Sequence, residues 1–369
     1  MSLTRLFAVA RKELLQLRRD PRSLVLAFVL PLLLLVLFGY AITWDVRDIE
    51  TAVLDQDRSA RSRELLDAFS ASGYFEIERH LADASEIRPL LDRGGVQLVL
   101  VIPPGFAADL APGGGADLQV ILDGSDANTA TIALGYARGV VASLAGGPGG
   151  RPATPLEVAS RVWYNEELES RNMIVPGLVA VIMMIIAAML TSLTIAREWE
   201  RGTMEQLAAT PVTRLEVVLG KLLPYLGIGL LDVVTSSLLG VFLFGVPFRG
   251  NPALLMVLSF FFLLGALGLG MFISARTKSQ LLATQVAMIA TFLPAFLLSG
   301  FMFAISVMPA ALRAVTYLVP ARYFLVVTRG IFLKGVGVEV LRVQGLLMVA
   351  YAAVGLALAV ASFEKELDG

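Results

Sequence analysis

The stretch MIVPGLVAVIMMIIAAMLTSLTIA, residues 173–196, contains no charged side chain. About 20 apolar residues in a helix cross the roughly 30 Å of hydrocarbon in a bilayer, so this stretch is long enough to span a membrane. Other uncharged apolar stretches of this kind occupy residues 24–43, 252–275, 279–305 and 343–362. A further stretch, residues 222–246, matches them except for one acid, Asp232. The sequence therefore predicts a polytopic α-helical membrane protein with six transmembrane helices.

The composition agrees with a membrane protein and excludes several other classes. Of the 369 residues, 56% are hydrophobic and 17% are charged, and the mean hydropathy of +0.74 does not fit a water-exposed surface. A net charge of −1 excludes the strongly basic balance of a nucleic-acid-binding protein. The sequence has no cysteine, and its single histidine, His80, cannot build a zinc or haem site by itself. Neither a metal nor a nucleic-acid partner is predicted.

Basic residues near the ends of the apolar stretches predict the orientation, because Lys and Arg are retained on the cytoplasmic side. Residues 1–22 carry six basic residues and two acids, which predicts a cytoplasmic N-terminus. Residues 44–172 carry eleven arginines, no lysine and twenty acids, as expected of an external segment. With six spans, both termini are cytoplasmic.

The external segment is too long for a structureless connection, so it predicts a small α/β domain inserted between the first and second spans. β-prone runs occur at residues 51–54, 74–78, 96–102 and 118–122, and helical stretches at 59–71, 85–91 and 127–144. The first two helical stretches begin with serines that can cap a helix, Ser59 and Ser85. Strands that alternate with helices favour a mixed or parallel sheet. The predicted division is a cytoplasmic amphipathic helix (1–22), a first transmembrane helix (23–43), the external domain (44–172) and a five-helix transmembrane region (173–369).

The first twenty residues predict an amphipathic helix. Apolar residues recur at positions 3, 6, 7, 10, 14 and 17, while Arg5, Lys12, Gln16 and Arg19 share another face. Such a helix lies along the headgroups of the bilayer, and Pro21 breaks it before the first span. The alternative is that these residues are only the positive flank of a signal anchor.

With six spans, residues 306–342 lie on the external side of the membrane. They nevertheless carry five basic residues. Residues 314–327 are too short for a seventh span and contain Pro320 and Arg322, and an arginine in the middle of a membrane costs about 2.5 to 3.5 kcal/mol. We therefore predict an external interfacial segment of short helices, with Tyr317, Tyr323 and Phe324 at headgroup level and the basic side chains directed outward.

The predicted cytoplasmic loop, residues 197–221, contains a short helix at 203–210, preceded by Gly202 and ended before Pro211. Its apolar face comprises Met204, Leu207 and Ala208, with Glu205 and Gln206 beside it. A short helix with an apolar face and an acidic flank predicts a protein partner. The alternative is a solvated connector.

This loop resembles the cytoplasmic signature of the ABC-2 type permeases, the membrane subunits of a class of ABC exporters. The residues that carry the resemblance are Arg197, Glu198, Arg201-Gly202-Thr203, Glu205, Leu207 and Thr210-Pro211-Val212. Residues 99–103 with Gly105-Phe106, residues 244–247 and residues 320–335 extend the resemblance over nearly the whole chain. It looks most like the bacterial multidrug branch with an enlarged external domain.

The resemblance implies a permease in the bacterial inner membrane that moves an amphiphilic substrate, drug-like or lipid, outward. It implies that the loop docks on a separate ATPase subunit through Glu198, Arg201, Gly202, Thr203, Glu205, Leu207 and Pro211. The implied partners are this ATPase, a second copy or a paralogous permease, the lipid bilayer and, as a further candidate, a periplasmic adaptor. The chain itself needs no cofactor, since ATP binds the partner. Its own residues agree, because Gly220-Lys221 has Leu215 where a phosphate-binding loop needs glycine.

Asp232 is the one ionisable residue well inside a predicted span. Such residues tend to face a bundle interior or an aqueous path, which makes Asp232 a candidate for the translocation path. The alternative is a structural group, protonated or hydrogen-bonded to Thr235 or Ser236.

For the whole chain, the alternative function is a membrane-anchored sensor or accessory protein whose external domain binds a ligand. The five predicted spans after that domain are more than the one or two spans that a membrane sensor needs.

Overall fold

The computed structural model describes residues 2–42, 48–92, 95–110, 116–123, 127–145 and 169–363. The chain divides into two compact units. Residues 44–161 form the α/β unit, and residues 1–43 and 162–369 form the helical unit.

The helical unit begins with two helices separated by a break. Helix α1 is Leu3–Arg18, and α2 covers residues 21–41, of which Val25–Val29 are π-helical. Pro21 starts α2, where its missing N–H is not needed by the helix. The carboxylate of Asp20 accepts a hydrogen bond from the backbone N–H of Ser23 at 3.3 Å and so caps α2. The predicted break at Pro21 is confirmed.

The α/β unit contains a four-stranded mixed sheet. Its strands are β1 Ile49–Asp55, β2 Phe75–His80, β3 Leu98–Ile102 and β4 Gln119–Leu122. The strand order is β2-β1-β3-β4, with β1 parallel to both of its neighbours and β4 antiparallel to β3. The helices of this unit are α3 Ala60–Ala71, α4 Ile87–Asp92, α5 Phe106–Asp109 and α6 Ala127–Ala145. Of the two predicted alternatives, a mixed or a parallel sheet, the structure has the mixed one.

Strand β3 lies at the centre of the α/β unit, and all its residues are buried. Leu98 and Leu100 belong to an apolar cluster with Phe69, whereas Val99 belongs to a second cluster with Ala52. Because both faces of the strand are covered, its sequence is apolar without alternation.

Serine caps were predicted for two helices, and one of them is present. Ser59 Oγ accepts a hydrogen bond from the N–H of Ser62 at 3.0 Å and caps α3. The next helical segment is capped by Asp83, which accepts from the N–H of Ser85 at 2.8 Å. The prediction at Ser85 was wrong because Asp83 and Glu86, three residues later, form a complete capping box.

Among the residues that the structure describes, eight further helices and a 3₁₀ turn at Ile305–Val307 follow in the helical unit. The helices are α7 Ser170–Glu200, α8 Met204–Ala208, α9 Arg214–Phe242, α10 Pro252–Thr277, α11 Gln280–Leu298, α12 Ala310–Thr316, α13 Pro320–Lys334 and α14 Val338–Ser362. By length and composition, α7, α9, α10, α11 and α14 can cross a membrane. Helices α12 and α13, bent by 74° at their break, add a sixth candidate if they count as one span. The apolar part of α2, Val25–Ala41, is shorter.

These helices confirm the predicted polytopic class and refine its boundaries. Helix α7 begins at Ser170, within the residues predicted for the α/β domain. It continues to Glu200, so the connection to α9 comprises only residues 201–213 of the predicted loop 197–221.

Helix α7 is the most buried long helix, with 89% of its most apolar segment buried inside the chain. Glycines allow the closest approach between two others. A Cβ on Gly268 of α10 would lie 2.5 Å from the carbonyl carbon of Gly355 in α14, closer than real Cβ atoms come. Small residues at such crossings let helices in a membrane pack by backbone contact.

Residues 306–342 contain the predicted short helices but not all the predicted side-chain positions. Phe324 is fully buried and stacks on Phe262 of α10, with ring centroids 4.1 Å apart. Arg329 also turns inward, and its Nε donates to the carbonyl of Met173 at 3.2 Å. The predictions for Phe324 and Arg329 were wrong because α13 packs against α7 and α10. Tyr317 is exposed.

Candidate coupling site

The short helix α8 lies where the sequence predicts it, and it begins one residue later and ends two residues earlier. Gly202 before it has a φ of +68°, a left-handed conformation that glycine adopts without strain and that ends α7. Met204 is only 3% exposed, whereas Glu205 and Gln206 are exposed. The buried side of α8 is therefore already covered by this chain. Leu207, a second residue of the predicted apolar face, is half-buried, and the side chain of the third, Ala208, lies outside the described residues.

The residues that follow α8 connect it to the N-terminus of the chain. Thr213 caps α9 and forms a capping box with Glu216. Glu216 also accepts a hydrogen bond from the backbone N–H of Ser2, and Arg5 donates to the carbonyl of Pro211. The start of α1 is thereby attached to both the loop and the start of α9.

A buried ion cluster joins α1, α7 and α9. Lys221 Nζ of α9 lies 2.9 Å from Glu13 Oε2 of α1 and 3.0 Å from Glu198 Oε1 of α7. The side chains of Lys221 and Glu13 are each 2% exposed, and that of Glu198 is 5% exposed. Tyr225, one turn further along α9, donates its hydroxyl to Glu13 Oε1 at 2.9 Å. We call Glu13, Glu198, Lys221 and Tyr225 the buried cluster.

Partners at the edge of the buried cluster complete its charge balance. Lys12 Nζ lies 2.9 Å from Glu198 Oε1 and is half-exposed. The hydroxyl of Thr203 donates to the other oxygen of Glu198, so the residue before α8 is attached directly to the cluster. Two carboxylates thus face two ammonium groups, which is how buried charges are accommodated in proteins.

A second ion pair joins α2 to the end of α7. Arg197 Nη2 lies 3.1 Å from Asp20 Oδ2 and 3.2 Å from the hydroxyl of Ser23. Ser23 in turn donates to Asp20 at 2.7 Å. The arginine that opens the predicted loop is therefore a buried contact between two helices.

Close packing reinforces the contact between α1 and α9. A Cβ on Gly220 would lie 2.8 Å from the Cβ of Val9 and 3.0 Å from the carbonyl oxygen of Leu6. Gly220 therefore lets α1 cross α9 close enough for Glu13 to reach Lys221.

The predicted apolar face of α1 has two parts. Leu6, Ala10 and Leu17 are buried, together with Glu13. Leu3 and Phe7 are 66% and 57% exposed, and no described residue covers them.

The structure brings together only some of the predicted site residues. Glu198 and Thr203 belong to the contacts just described, whereas Arg201, Glu205 and Pro211 are exposed, and Leu207 is partly buried. Glu13, Lys221, Tyr225 and Asp20 were missed. A signal for Glu13 exists, since it shares a helical face with Leu6, Ala10 and Leu17 and an acid on a buried face needs a cation.

Asp232 lies apart from the buried cluster. It is 1% exposed, and its Oδ1 has no hydrogen-bond partner among the described residues. The hydroxyl of Thr235 donates to the backbone carbonyl of Asp232 at 3.1 Å, and Ser236 Oγ has no partner in the same described part of the chain. The hydrogen bonds from Thr235 and Ser236 to the carboxylate that we considered are therefore not formed.

Comparison with known proteins decides the family. The model of the ABC-2 family transporter protein matches residues 21–361. The chain belongs to the ABC-2 family. The predicted resemblance is confirmed, and the chain is a permease subunit. Helix α1, with Glu13 and Lys12 of the ion-paired contacts, precedes the matched residues.

Several relatives of this ABC-2 chain are named as permeases, and three of them match it over most of their own length. The probable multidrug ABC transporter permease YbhS of Escherichia coli K12 is 40% identical over 374 residues, which cover 100% of this chain and 99% of the relative. The probable multidrug ABC transporter permease YbhR of the same organism is 33% identical and covers 91% of this chain and 92% of its own length. The inner membrane transport permease YhhJ of E. coli K12 is 27% identical, with 86% and 85% covered.

Proposed function

We propose that this chain is the membrane-spanning subunit of an ABC exporter that moves an amphiphilic substrate outward, either a drug-like molecule or a lipid. ATP is hydrolysed by a separate ATPase subunit that docks on residues 201–213. The observation that carries the proposal is the buried cluster, which ties α1, α7 and α9 together directly behind that loop. Two relatives named as probable multidrug permeases support the substrate class.

The contacts behind the loop explain how docking would act on the membrane helices. The loop joins the end of α7 to the start of α9, and Thr203 bonds to Glu198 within the buried cluster. Arg5 and Ser2 hold the start of α1 against the other end of the loop. A push on α8 is therefore transmitted to three helices at once through packed and ion-paired contacts.

The exposed residues of α8 define the chemistry of the docking surface. Glu205 and Gln206 point away from the chain, while Met204 is buried beneath them. An exposed carboxylate at an interface fixes register and partner choice by meeting a complementary charge. We expect a basic residue of the ATPase opposite Glu205.

The same proposal includes a topology. Helices α2, α7, α9, α10, α11 and α14 cross the bacterial inner membrane, and α12 and α13 enter its outer side without crossing. Both termini and the loop at 201–213 are then cytoplasmic, and the acidic α/β unit is periplasmic. The exposed Leu3 and Phe7 support a position of α1 on the inner headgroups.

Further parts of the assembly follow from the family. Two permease subunits, as a second copy or a paralogue, pair above two ATPase subunits, and the permease itself holds no cofactor. A periplasmic adaptor is a further candidate partner of the α/β unit. Asp232 remains a candidate residue of the translocation path.

The docking proposal is tested by reversing the charge of Glu205. Glu205→Lys should reduce co-purification of the ATPase and substrate-stimulated ATP hydrolysis by about tenfold or more, since a like-charge contact costs at least about 1.4 kcal/mol, which is a factor of ten. Insertion of the permease into the membrane should be unchanged, because Glu205 is exposed and outside the apolar helices.

A matched control is Glu339→Lys, which reverses an exposed acid in the first turn of α14. It should leave co-purification intact. Equal loss in both variants, or no loss in Glu205→Lys, contradicts docking at this loop. A reporter that is active only outside, fused after Leu122 and after Thr210 in turn, tests the topology and should work only in the first fusion.

A further inference from the structure

The helical unit contains a groove whose lining includes Arg201, the first residue of the 201–213 loop, but no residue of α8. It has a volume of about 1160 Å³, slightly above the usual 300 to 1,000 Å³ of a small-molecule site. Its wall is formed by α1, the start of α2, the end of α7 and the start of α11. All these elements belong to one compact unit.

The groove is predominantly basic. Four of its lining residues are cations, Lys12, Arg19, Arg197 and Arg201, and one is an acid, Asp20. Asp20 is already paired with Arg197, and Lys12 is paired with Glu198. Arg19 and Arg201 are exposed and form no ion pair with any residue that the structure describes. Two guanidinium groups therefore remain for an anion.

The remaining lining residues are partly apolar, and three of them are neutral and polar, namely Gln16, Ser23 and Gln280. Leu26 lies near the start of the apolar helix α2, and Leu193 lies near the end of the apolar helix α7. Leu15 and Pro21 complete this side of the groove. The groove thus combines cationic and apolar lining residues at the start of α2 and the end of α7, two helices that we propose to cross the membrane.

We propose that this groove binds an anionic phospholipid of the surrounding bilayer, with its phosphate on Arg19 and Arg201 and the first part of its acyl chains on Leu26 and Leu193. A guanidinium matches a phosphate group with two parallel hydrogen bonds. Basic pockets between membrane helices recognise anionic headgroups in this way. A free phosphate ion would use the two arginines but not the apolar wall, which is why the lipid is the better fit.

The experiment measures binding of phosphatidylglycerol and of phosphatidylcholine to the full-length protein by native mass spectrometry. Wild type should retain phosphatidylglycerol preferentially. The variant Arg19→Gln/Arg201→Gln should bind it about tenfold or more weakly, since each basic residue near a headgroup contributes roughly a fivefold change in affinity. Both arginines are exposed and unpaired within the described structure, so the variant keeps the buried contacts that hold the fold.

The matched control is Arg11→Gln/Arg18→Gln, which removes the same charge from exposed positions of α1 that do not line the groove. It should retain the preference for phosphatidylglycerol. Replacing Arg19 and Arg201 with lysine should restore part of the binding, because the charge returns without the planar fork.

Three outcomes would overturn the proposal. The first is equal retention of the two lipids by wild type. The second is an equal loss in the groove variant and the control variant, which would indicate unspecific attraction to the membrane. The third is displacement of phosphatidylglycerol by inorganic phosphate alone, which would assign the groove to a free anion. None of these readouts depends on ATPase docking or transport.

Discussion

Two of the buried ionisable residues of helix α9, Lys221 and Asp232, are in opposite situations. Lys221 lies between two carboxylates at distances of 2.9 and 3.0 Å. Asp232, three helical turns further along, has no described partner for its Oδ1. A buried charge with complete partners acts as a structural link, and removing one partner exposes the cost of burying the others. Asp232 forms no such link through Oδ1 with any described residue, which keeps it a candidate for a functional role.

The strongest test of this comparison is Lys221→Met. The substitution keeps the length of the side chain but leaves Glu13 without its ammonium partner and Glu198 with only Lys12. We expect a loss of about 3 to 5 kcal/mol, seen as a lower yield of folded protein and a lower melting temperature in detergent. In the triple variant with Glu13→Gln and Glu198→Gln, much of this loss should be recovered. If Lys221→Met melts like wild type, the buried cluster does not hold the helices together.

The close crossing beside Lys221 gives a second test. Gly220→Ala places a Cβ 2.8 Å from Val9 Cβ, so α1 must shift away from α9, at a cost of about 1 to 3 kcal/mol. Gly227→Ala is the matched control on the same helix, because a Cβ there meets nothing within 4 Å. The control should be neutral or stabilising, since alanine favours helix by about 1 kcal/mol over glycine. The measurement is thermal unfolding, together with proteolytic release of α1.

Asp232→Asn tests the second residue of the comparison, the buried acid Asp232. The substitution keeps size and hydrogen-bonding capacity, so the amount of folded protein should change little. If Asp232 lines the path, export of a cationic substrate should fall about tenfold, as expected for the loss of one charge-assisted contact, and export of a neutral substrate should not. If Asp232 instead has a structural role, Asp232→Leu should reduce the amount of folded protein. Wild-type transport of the cation by the Asn variant removes Asp232 from the path.

The smallest expected effect on stability is that of substituting an exposed carboxylate, Asp57. Asp57 accepts hydrogen bonds from the N–H groups of Gly105 at 2.9 Å and Ala107 at 3.1 Å. The hydrogen bond from Ser59 and these backbone donors hold the pKa of Asp57 below its usual value. Because the folded pKa is lowered, the stabilisation is present above the unfolded value of about 3.9 and is lost as the pH falls through the folded pKa.

Asp57→Asn should therefore lower the melting temperature of the α/β unit slightly at neutral pH. The difference from wild type should disappear in acid, below the lowered pKa. A difference that is the same at both pH values would mean that the carboxylate charge is not what these donors stabilise. Melting curves followed by circular dichroism at several pH values make the measurement.

Much of the architecture was predictable because it depends on short-range patterns. Apolar length identified the long helices, and the position of Pro21 identified the break between α1 and α2. Alternating β-prone and helical runs gave the mixed sheet. The capping box of Asp83 and Glu86 could also be recognised in the sequence, but Ser85 was predicted as the cap instead.

The candidate site was predictable only in its loop. Gly202, Glu205 and Pro211 lie in one short loop of the sequence, so their resemblance to a permease signature could be recognised. The role of Glu13 depends on Lys221, which is 208 residues away, and no periodicity in either segment shows that they meet. The burial of Phe324 against Phe262 was missed for the same reason.

The sequence by itself determined that this chain crosses a membrane and belongs with the ABC-2 permeases, because hydrophobic length and a contiguous loop motif are local properties. Only the tertiary structure decided which charges are paired. Burying an ion is costly unless an opposite charge lies within contact distance, and that distance is set by how helices cross. Gly220 permits one such crossing and brings Glu13 to Lys221, while the crossings around Asp232 bring it no described partner for Oδ1.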